Sequence, residues 1–226
     1  MTTNNTIPEI TLYFDLVSPF SYIAFQVLRN STIFRSCKIT YTPVSLRTLL
    51  TACGNPPPIM IKNKQTYINH HRLAWSRRLR IPMTETVPSD FPFPTAEIQA
   101  LLCLISDTYP EKLVEIVERL YTSVWAEGDS ACVTDAERYR AVIMETLGKE
   151  VLEALGREEK RAEGQALLEA NTLRAIEEGA FGLPWLMCTS PAGEREGFWG
   201  VDHLGLVAEF LGLDVGMEGG FRVLMK

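Results

Sequence analysis

Strand-forming segments lie only towards the two ends of this 226-residue chain, and almost everything between them reads as helix. A sheet can then form only if the two ends of the sequence come together, with the helical middle accommodated as one large excursion. Near the amino end, Ile10 to Leu16 puts Ile10, Leu12, Phe14 and Leu16 on one face, the alternation of a strand. A helix follows from Ser18 to about Arg29, and a second strand, Lys38 to Val44, carries Ile39, Tyr41 and Val44. A helix from Ser45 to Cys53 stops at Gly54. This is a βαβ start, for which a right-handed crossover is expected. Near the carboxyl end, Pro184 to Thr189 reads as a strand and Ser190 to Gly197 as a hairpin loop. Phe198 to Gly200 is the returning strand, and an amphipathic helix from His203 to Leu211 closes the unit at Gly212.

Asn55-Pro-Pro-Pro breaks regular structure after the first unit, and Pro88, Pro92 and Pro94 break it again. Between and beyond these breaks, helices are expected at Gln65–Leu79, Ala96–Asp107, Glu111–Glu127, Ala136–Leu147, Lys149–Leu155 and Glu158–Glu178. Thr95 and Thr134 or Asp135 are their N-caps, and Gly128, Gly148, Gly156 and Gly179 their stops. The division this implies is an α/β domain from residues 1–54 and 180–226, with a helical insertion over 55–179. The tail Gly216 to Lys226 carries no clear pattern.

An apolar content of 46% suits a globular protein with a sizeable core. A net charge of -6 argues against a general attraction to nucleic acid or to an anionic membrane surface. The five cysteines, Cys37, Cys53, Cys103, Cys132 and Cys188, form no Cys-x-x-Cys pair and no metal-type spacing. They read as reduced thiols, mostly core filler. No secretory, transit or membrane-spanning segment is legible, so a cytoplasmic location is the expectation.

Ser18-Pro19-Phe20-Ser21 falls where the first strand runs into the first helix. It has the spacing of a Cys-x-x-Cys redox motif, with hydroxyls in place of both sulfurs. Ser18 suits an N-cap and Pro19 the first helical position, because the serine oxygen accepts a bond from a free first-turn amide. Such a helix start stabilises negative charge, so the corner is also fit to hold a thiolate that belongs to a ligand.

Other chemistry-bearing residues give less. His70 and His71 are adjacent on a helix and point about 100° apart, which is wrong for joint metal chelation. No metal is expected. Arg72, Arg77, Arg78 and Arg80 make the densest basic cluster, and the strongly charged stretch 156–164 reads as a solvated helix face or loop. Trp75, Trp125, Trp185 and Trp199 are candidates for core or interface.

Four segments together carry a resemblance. Phe14-Asp-Leu-Val-Ser-Pro-Phe-Ser-Tyr, Gly54-Asn-Pro-Pro-Pro, Gly179-Ala-Phe-Gly-Leu-Pro and Phe198-Trp-Gly-Val-Asp, in this order, resemble the kappa-class glutathione S-transferases and the related 2-hydroxychromene-2-carboxylate isomerases. The similarity runs from about Ile10 to Leu211. It implies a thioredoxin-like fold of DsbA type with a large all-helical insertion, and a homodimer. It also implies glutathione as co-substrate, with Ser18 as the catalytic residue that hydrogen-bonds the glutathione sulfur. Leu183-Pro184 would be the family's cis-proline opposite that serine, and Leu183's backbone would pair with the cysteinyl part of the tripeptide. Asp202, an N-cap of the last helix on its own chemistry, would bind the γ-glutamyl amino group. Val201 departs from the polar residue common before it, and His203 from the arginine common after it. Asn55 and Lys64 would face the glycine end, with Lys62 the alternative to Lys64. Trp185 either lines a second-substrate pocket or packs.

The resemblance therefore implies a glutathione transferase acting on a small hydrophobic electrophile. Its alternatives are a glutathione-dependent isomerase of an aromatic-derived carboxylate, which the arginine cluster would suit, and a non-catalytic thiol-peptide binding module. A disulfide oxidase is disfavoured, because neither Ser18 nor Ser21 can form a disulfide. Ser21 is expected to be an ordinary helix residue. Mitochondrial or peroxisomal residence is a family property that no segment of this chain supports.

Overall fold

The computed structural model describes residues 6–215. Its four strands, β1 (Glu9–Phe14), β2 (Lys38–Pro43), β3 (Trp185–Thr189) and β4 (Arg195–Trp199), form one sheet in the order β2-β1-β3-β4. β1 and β2 run parallel, with Phe14 opposite Pro43. β3 runs antiparallel to β1, with Tyr13 opposite Trp185, and β4 antiparallel to β3, with Trp185 opposite Trp199. The two ends of the sequence thus join at the centre of the sheet, between β1 and β3.

The helices in chain order are α1 (Pro19–Asn30), α2 (Leu46–Ala52), α3 (Lys64–Leu79), α4 (Ala96–Thr108), α5 (Pro110–Tyr121), α6 (Ala131–Thr134), α7 (Ala136–Leu147), α8 (Lys149–Leu155), α9 (Glu158–Glu177) and α10 (Leu204–Phe210). Helices cover both faces of the sheet, which is why its central strands are apolar on both sides. Ile10, Leu12 and Phe14 of β1 are fully buried in the main core cluster beside Ile23 and Phe25 of α1. Tyr13 points the other way, into a second cluster with Val44, Leu49, Ala175 and Trp185. The main cluster continues without a break into Ile116, Val117 and Trp125 of the helical middle, so sheet and excursion share one core. Gly164 of α9 permits part of that packing, because a Cβ there would stand 2.8 Å from the Ala100 carbonyl of α4.

Several boundaries differ from expectation for local reasons. β1 ends at Phe14 rather than Leu16, because the Asp15 carboxylate accepts the Val17 amide at 3.2 Å and the Asp15 carbonyl accepts the Ser18 amide at 3.0 Å. The helix expected over Glu111–Glu127 is α-helical only to Tyr121 and continues as a π-helical turn, Thr122–Ala126. The carboxyl hairpin is tighter than expected: Ser190 and Glu194 close it with bonds of 2.8 and 3.2 Å, so β4 begins at Arg195. Asp135, not Thr134, caps α7, accepting the Glu137 amide at 2.8 Å. Residues 1–5 and 216–226, which belong to the expected domain bounds and include the patternless tail, lie outside the described residues.

Candidate active site

Strand direction brings the site together. β1 and β2 both finish at one end of the sheet, β3 starts there, and β4 finishes there. The Ser18 corner after β1, Leu183-Pro184 before β3 and Gly200-Val201-Asp202 after β4 therefore share that end. The Gly200 amide bonds the Pro184 carbonyl at 3.0 Å, tying the last two segments together.

Ser18 is buried and caps α1 as its residue type dictates, its Oγ accepting the Ser21 amide at 3.1 Å. That bond uses an oxygen lone pair and leaves the hydroxyl proton free to be donated. Of the other first-turn amides, Pro19 has none and Tyr22 bonds the Ser18 carbonyl at 3.1 Å. The Phe20 amide has no partner among the described residues. Two donors, one hydroxyl and one amide, thus have no acceptor among the described residues at a helix start that already favours an anion.

Beneath the corner lies a carboxylate to which the sequence reading gave no role. Asp15 is buried, and its Oδ1 accepts the Thr95 hydroxyl at 2.7 Å while its Oδ2 accepts the Leu46 amide at 2.9 Å. Burial pushes its pKa up, opposed by those bonds and by the one from Val17. Thr95, expected as a capping side chain for α4, spends its hydroxyl on Asp15 and makes no cap bond. Gln99 spans the ends of β1 and β2, donating to the Phe14 and Val44 carbonyls at 2.9 Å each. The signal that could have pointed to Asp15 is a carboxylate inside the apolar segment Ile10 to Leu16, where it is costly unless fully hydrogen-bonded.

Leu183-Pro184 is a cis peptide, in agreement with the resemblance. The amide and carbonyl of Leu183 have no hydrogen-bond partner among the described residues. Val201 is buried, and its amide is likewise unpartnered among the described residues. Asp202 corrects an expectation, because it does not cap the last helix. It sits inside a 3-10 turn, Val201–His203, that makes no side-chain cap bond, and α10 begins only at Leu204. The turn starts two residues before the expected helix and follows Gly200, which adopts a φ of +88° and where a Cβ would lie 2.5 Å from Asp202 Oδ1. Released from capping, the Asp202 carboxylate is exposed and lies 3.5 Å from His203 Nδ1. Asn55 reaches the same end through its Nδ2, which donates to the Phe181 carbonyl at 2.8 Å. Lys64 is the first residue of α3, half-buried, on a helix that packs against α1, while Lys62 is exposed in the preceding loop.

Trp185 packs rather than lining an open pocket. It is buried with Tyr13, Leu49 and Ala180, its ring edge so close to β4 that a Cβ on Gly197 would fall 2.2 Å from it. The exposed aromatic side chains here are Phe181 and Trp199, with ring centroids 5.0 Å apart. Arg72 does not belong to a basic surface cluster: it is wholly buried, donating to Asn69 Oδ1 and to the Thr84 and Glu85 carbonyls at 2.6–2.8 Å. Arg77 pairs with Glu85 at 3.1 Å, and Arg78 and Arg80 remain exposed. His71 stacks on Tyr67 at 3.9 Å and meets His70 edge-on. Ser21 is fully buried in α1. Among the described residues no helix is long and apolar enough to cross a membrane.

Comparison with known proteins gives a consistent picture. A family model described as a DSBA-like thioredoxin domain matches residues 9–212. Glutathione S-transferase kappa 1 of Caenorhabditis elegans is 23% identical over 211 residues, covering 91% of each chain. The 2-hydroxychromene-2-carboxylate isomerase of Sphingobium xenophagum is 26% identical over 206 residues, covering 89% of this chain and 97% of that protein. A solved structure of a 2-hydroxychromene-2-carboxylate isomerase has the same fold, with a TM-score of 0.72 at 24% identity over 90% of this chain and 94% of that one.

Proposed function

The chain belongs to the DSBA-like thioredoxin domain family, and from that premise we propose that it is a glutathione transferase of kappa type, activating the glutathione thiol at Ser18. The observation that carries this reading is the convergence, at one end of the sheet, of the free Ser18 hydroxyl proton, the Phe20 amide and the unpaired backbone of Leu183. A thiol needs such donors to ionise near neutral pH, and a peptide needs such a backbone edge to bind as an added strand. Free cysteine has a pKa of about 8.5, which a helix start can lower below neutrality. In this proposal Leu183 and Pro184 hold the cysteinyl part. The Val201 amide and Asp202 carboxylate hold the two charged groups of the γ-glutamyl end, and Asn55 and Lys64 hold the glycine end. The thiolate then attacks a small hydrophobic electrophile: a carbon–sulfur bond forms, the leaving group departs with its electron pair, and the thiol proton passes to solvent. Serine suits this chemistry because it cannot be trapped as a mixed disulfide.

The likeness to the Sphingobium xenophagum isomerase supports a second reading, in which the thiol adds reversibly to an aromatic-derived carboxylate and leaves again. Arg78 and Arg80 are then the exposed basic residues left to meet an acidic substrate. The proposal includes a homodimer, a thioredoxin-like part over 1–54 and 180–226 with its helical insertion over 55–179, and a reducing, cytoplasmic compartment. The five unpaired thiols support that compartment.

Calorimetric titration with glutathione, followed by assays with 1-chloro-2,4-dinitrobenzene and with 2-hydroxychromene-2-carboxylate, tests the reading. Glutathione consumed with the first substrate supports the transferase, and isomerisation of the second without consumption supports the isomerase. Absence of glutathione binding at millimolar concentration overturns both and leaves a non-catalytic module.

A further inference from the structure

The corner that presents Ser18 is held from below by side chains of the helical excursion. Three successive carbonyls each accept one such donor: Phe14 from Gln99 Nε2 at 2.9 Å, Asp15 from the Tyr121 hydroxyl at 3.1 Å, and Leu16 from Trp125 Nε1 at 2.9 Å. Tyr121 closes α5 and Trp125 lies in the π-helical turn that extends it. Both are fully buried, so their polar hydrogens must find acceptors inside the protein, and the acceptors they find are the corner's. Single π turns inside α-helices recur at functional sites because they re-aim side chains.

Tyr121 is the more informative of the two. Its ring packs on Phe14 of β1 and on Tyr22 and Phe25 of α1, at centroid distances of 5.9, 5.5 and 5.5 Å. Its hydroxyl donates to the Asp15 carbonyl. Ser21 gives its amide to Ser18 Oγ. One phenol therefore touches the chain on both sides of Ser18, at Phe14 and Asp15 before it and at Tyr22 and Phe25 after it.

We propose that Tyr121 is a positioning residue for Ser18, fixing the angle at which the Ser18 hydroxyl and the α1 amino end meet a bound thiol. Its catalytic consequence rests on the glutathione reading above, whereas the positioning itself does not. The discriminating variant is Tyr121→Phe, which removes one oxygen and keeps the ring. The Asp15 carbonyl keeps its bond from the Ser18 amide at 3.0 Å, so no buried acceptor is orphaned. Tyr139→Phe is the control: its hydroxyl also belongs to the helical excursion, but it bonds Glu97, at 3.4 Å, not the corner.

Two readouts are compared across wild type and both variants. Amide hydrogen exchange over residues 15–22 without ligand should quicken about five-fold or more in Tyr121→Phe alone, with β4 unchanged. The ionisation of bound glutathione, followed by thiolate absorbance, should shift upward by about half a pH unit or more, with the KM for glutathione held and kcat reduced near neutrality. Unchanged exchange at the corner in Tyr121→Phe, or equal quickening in Tyr139→Phe, overturns the positioning role whether or not glutathione binds. A wild type that binds no glutathione instead defeats the functional reading, and the exchange comparison still decides for or against Tyr121.

Discussion

Ser18→Ala is the substitution whose consequences can be worked furthest from the structure. Two separate losses are expected, and they report on different things. As a cap, Ser18 accepts the Ser21 amide at 3.1 Å. Removing an N-cap oxygen costs about 1 kcal/mol, towards about 2 when the released amide is buried, as it is here. In a protein of this size that corresponds to a Tm lower by about 2–8 °C. As a donor on the proposed reading, the hydroxyl gives one charge-assisted bond to a bound thiolate, worth about 1.5–3 kcal/mol. At about 1.4 kcal/mol per pKa unit, the glutathione thiol on the variant should titrate about 1–2 units higher. It does not return fully to the free value, because the Phe20 amide and the helix dipole remain, the latter worth about 0.3–1 kcal/mol.

These magnitudes predict a rate that is pH-dependent in a specific way. With 1-chloro-2,4-dinitrobenzene, kcat/KM should fall about 10- to 100-fold at about pH 6.5 and recover most of the loss by about pH 9, where the thiol ionises without help. Ser18→Thr, which keeps the hydroxyl and the cap, should stay within about ten-fold of wild type throughout. The assay is the pH profile of kcat/KM for all three proteins, read beside the thiolate absorbance of the bound tripeptide and a thermal melt. A variant profile that superimposes on wild type refutes the reasoning. So does a loss equal at every pH, since that would mean Ser18 acts on something other than thiol ionisation.

Asn55→Ala should raise the KM for glutathione about three- to ten-fold with kcat held, because it removes the 2.8 Å bond that steadies the Phe181 carbonyl beside the unpaired Leu183 backbone. Steady-state kinetics with varied glutathione check this, and an unchanged KM counts against Asn55. Gly197→Ala should destabilise by about 1–3 kcal/mol, visible as a lower Tm and altered Trp185 fluorescence, because the new methyl falls 2.2 Å from that ring. Alkaline pH should unfold the protein through its buried thiols: burial pushes Cys103 and Cys188 from 9.0 up to about 12. The unfolded thiols ionise first, so this stability is complete below pH 9 and is lost as pH rises towards 12, at about 1.4 kcal/mol per unit for each group. Denaturant titrations across that range test the slope, and a flat stability curve contradicts the burial of these thiols.

The order of elements was readable because the fold is written in short-range signals. Period-two alternation marked β1, Ser18-Pro19 marked the start of α1, and Gly54, Gly148 and Gly179 marked stops near which the chain does turn, each with φ between +64° and +94°. What was missed lacks such a signal. Arg195-Glu196-Gly197 carries no apolar residue, yet it is strand, since β4 is an edge and an edge strand needs only a partner and a closed turn. Arg72 looked like one cation among four along α3 and its C-cap. Only the folded chain brings the Thr84 and Glu85 carbonyls over it and converts a surface charge into a buried tie.

The site divides along the same line. Ser18 stood out in the sequence as a helix start, Leu183, Val201 and Asp202 were candidates only through the family resemblance, and strand direction brings all four to one end of the sheet. The groups that hold Ser18 were not legible, because Thr95, Gln99, Tyr121 and Trp125 lie 77 to 107 residues away along the chain, inside helices whose sequence shows only an apolar face. Their polar atoms are a small part of side chains otherwise spent on packing, so no spacing rule singles them out. Yet the network leaves Asp15, Leu16 and Ser18 little freedom to relax, and a catalytic hydroxyl gains from that restraint only if its angle to the helix end is right before the thiol arrives. On the proposed reading, then, the helical excursion contributes rigidity delivered through the backbone, and this should show in the ionisation of a bound thiol rather than in the affinity for the tripeptide that carries it.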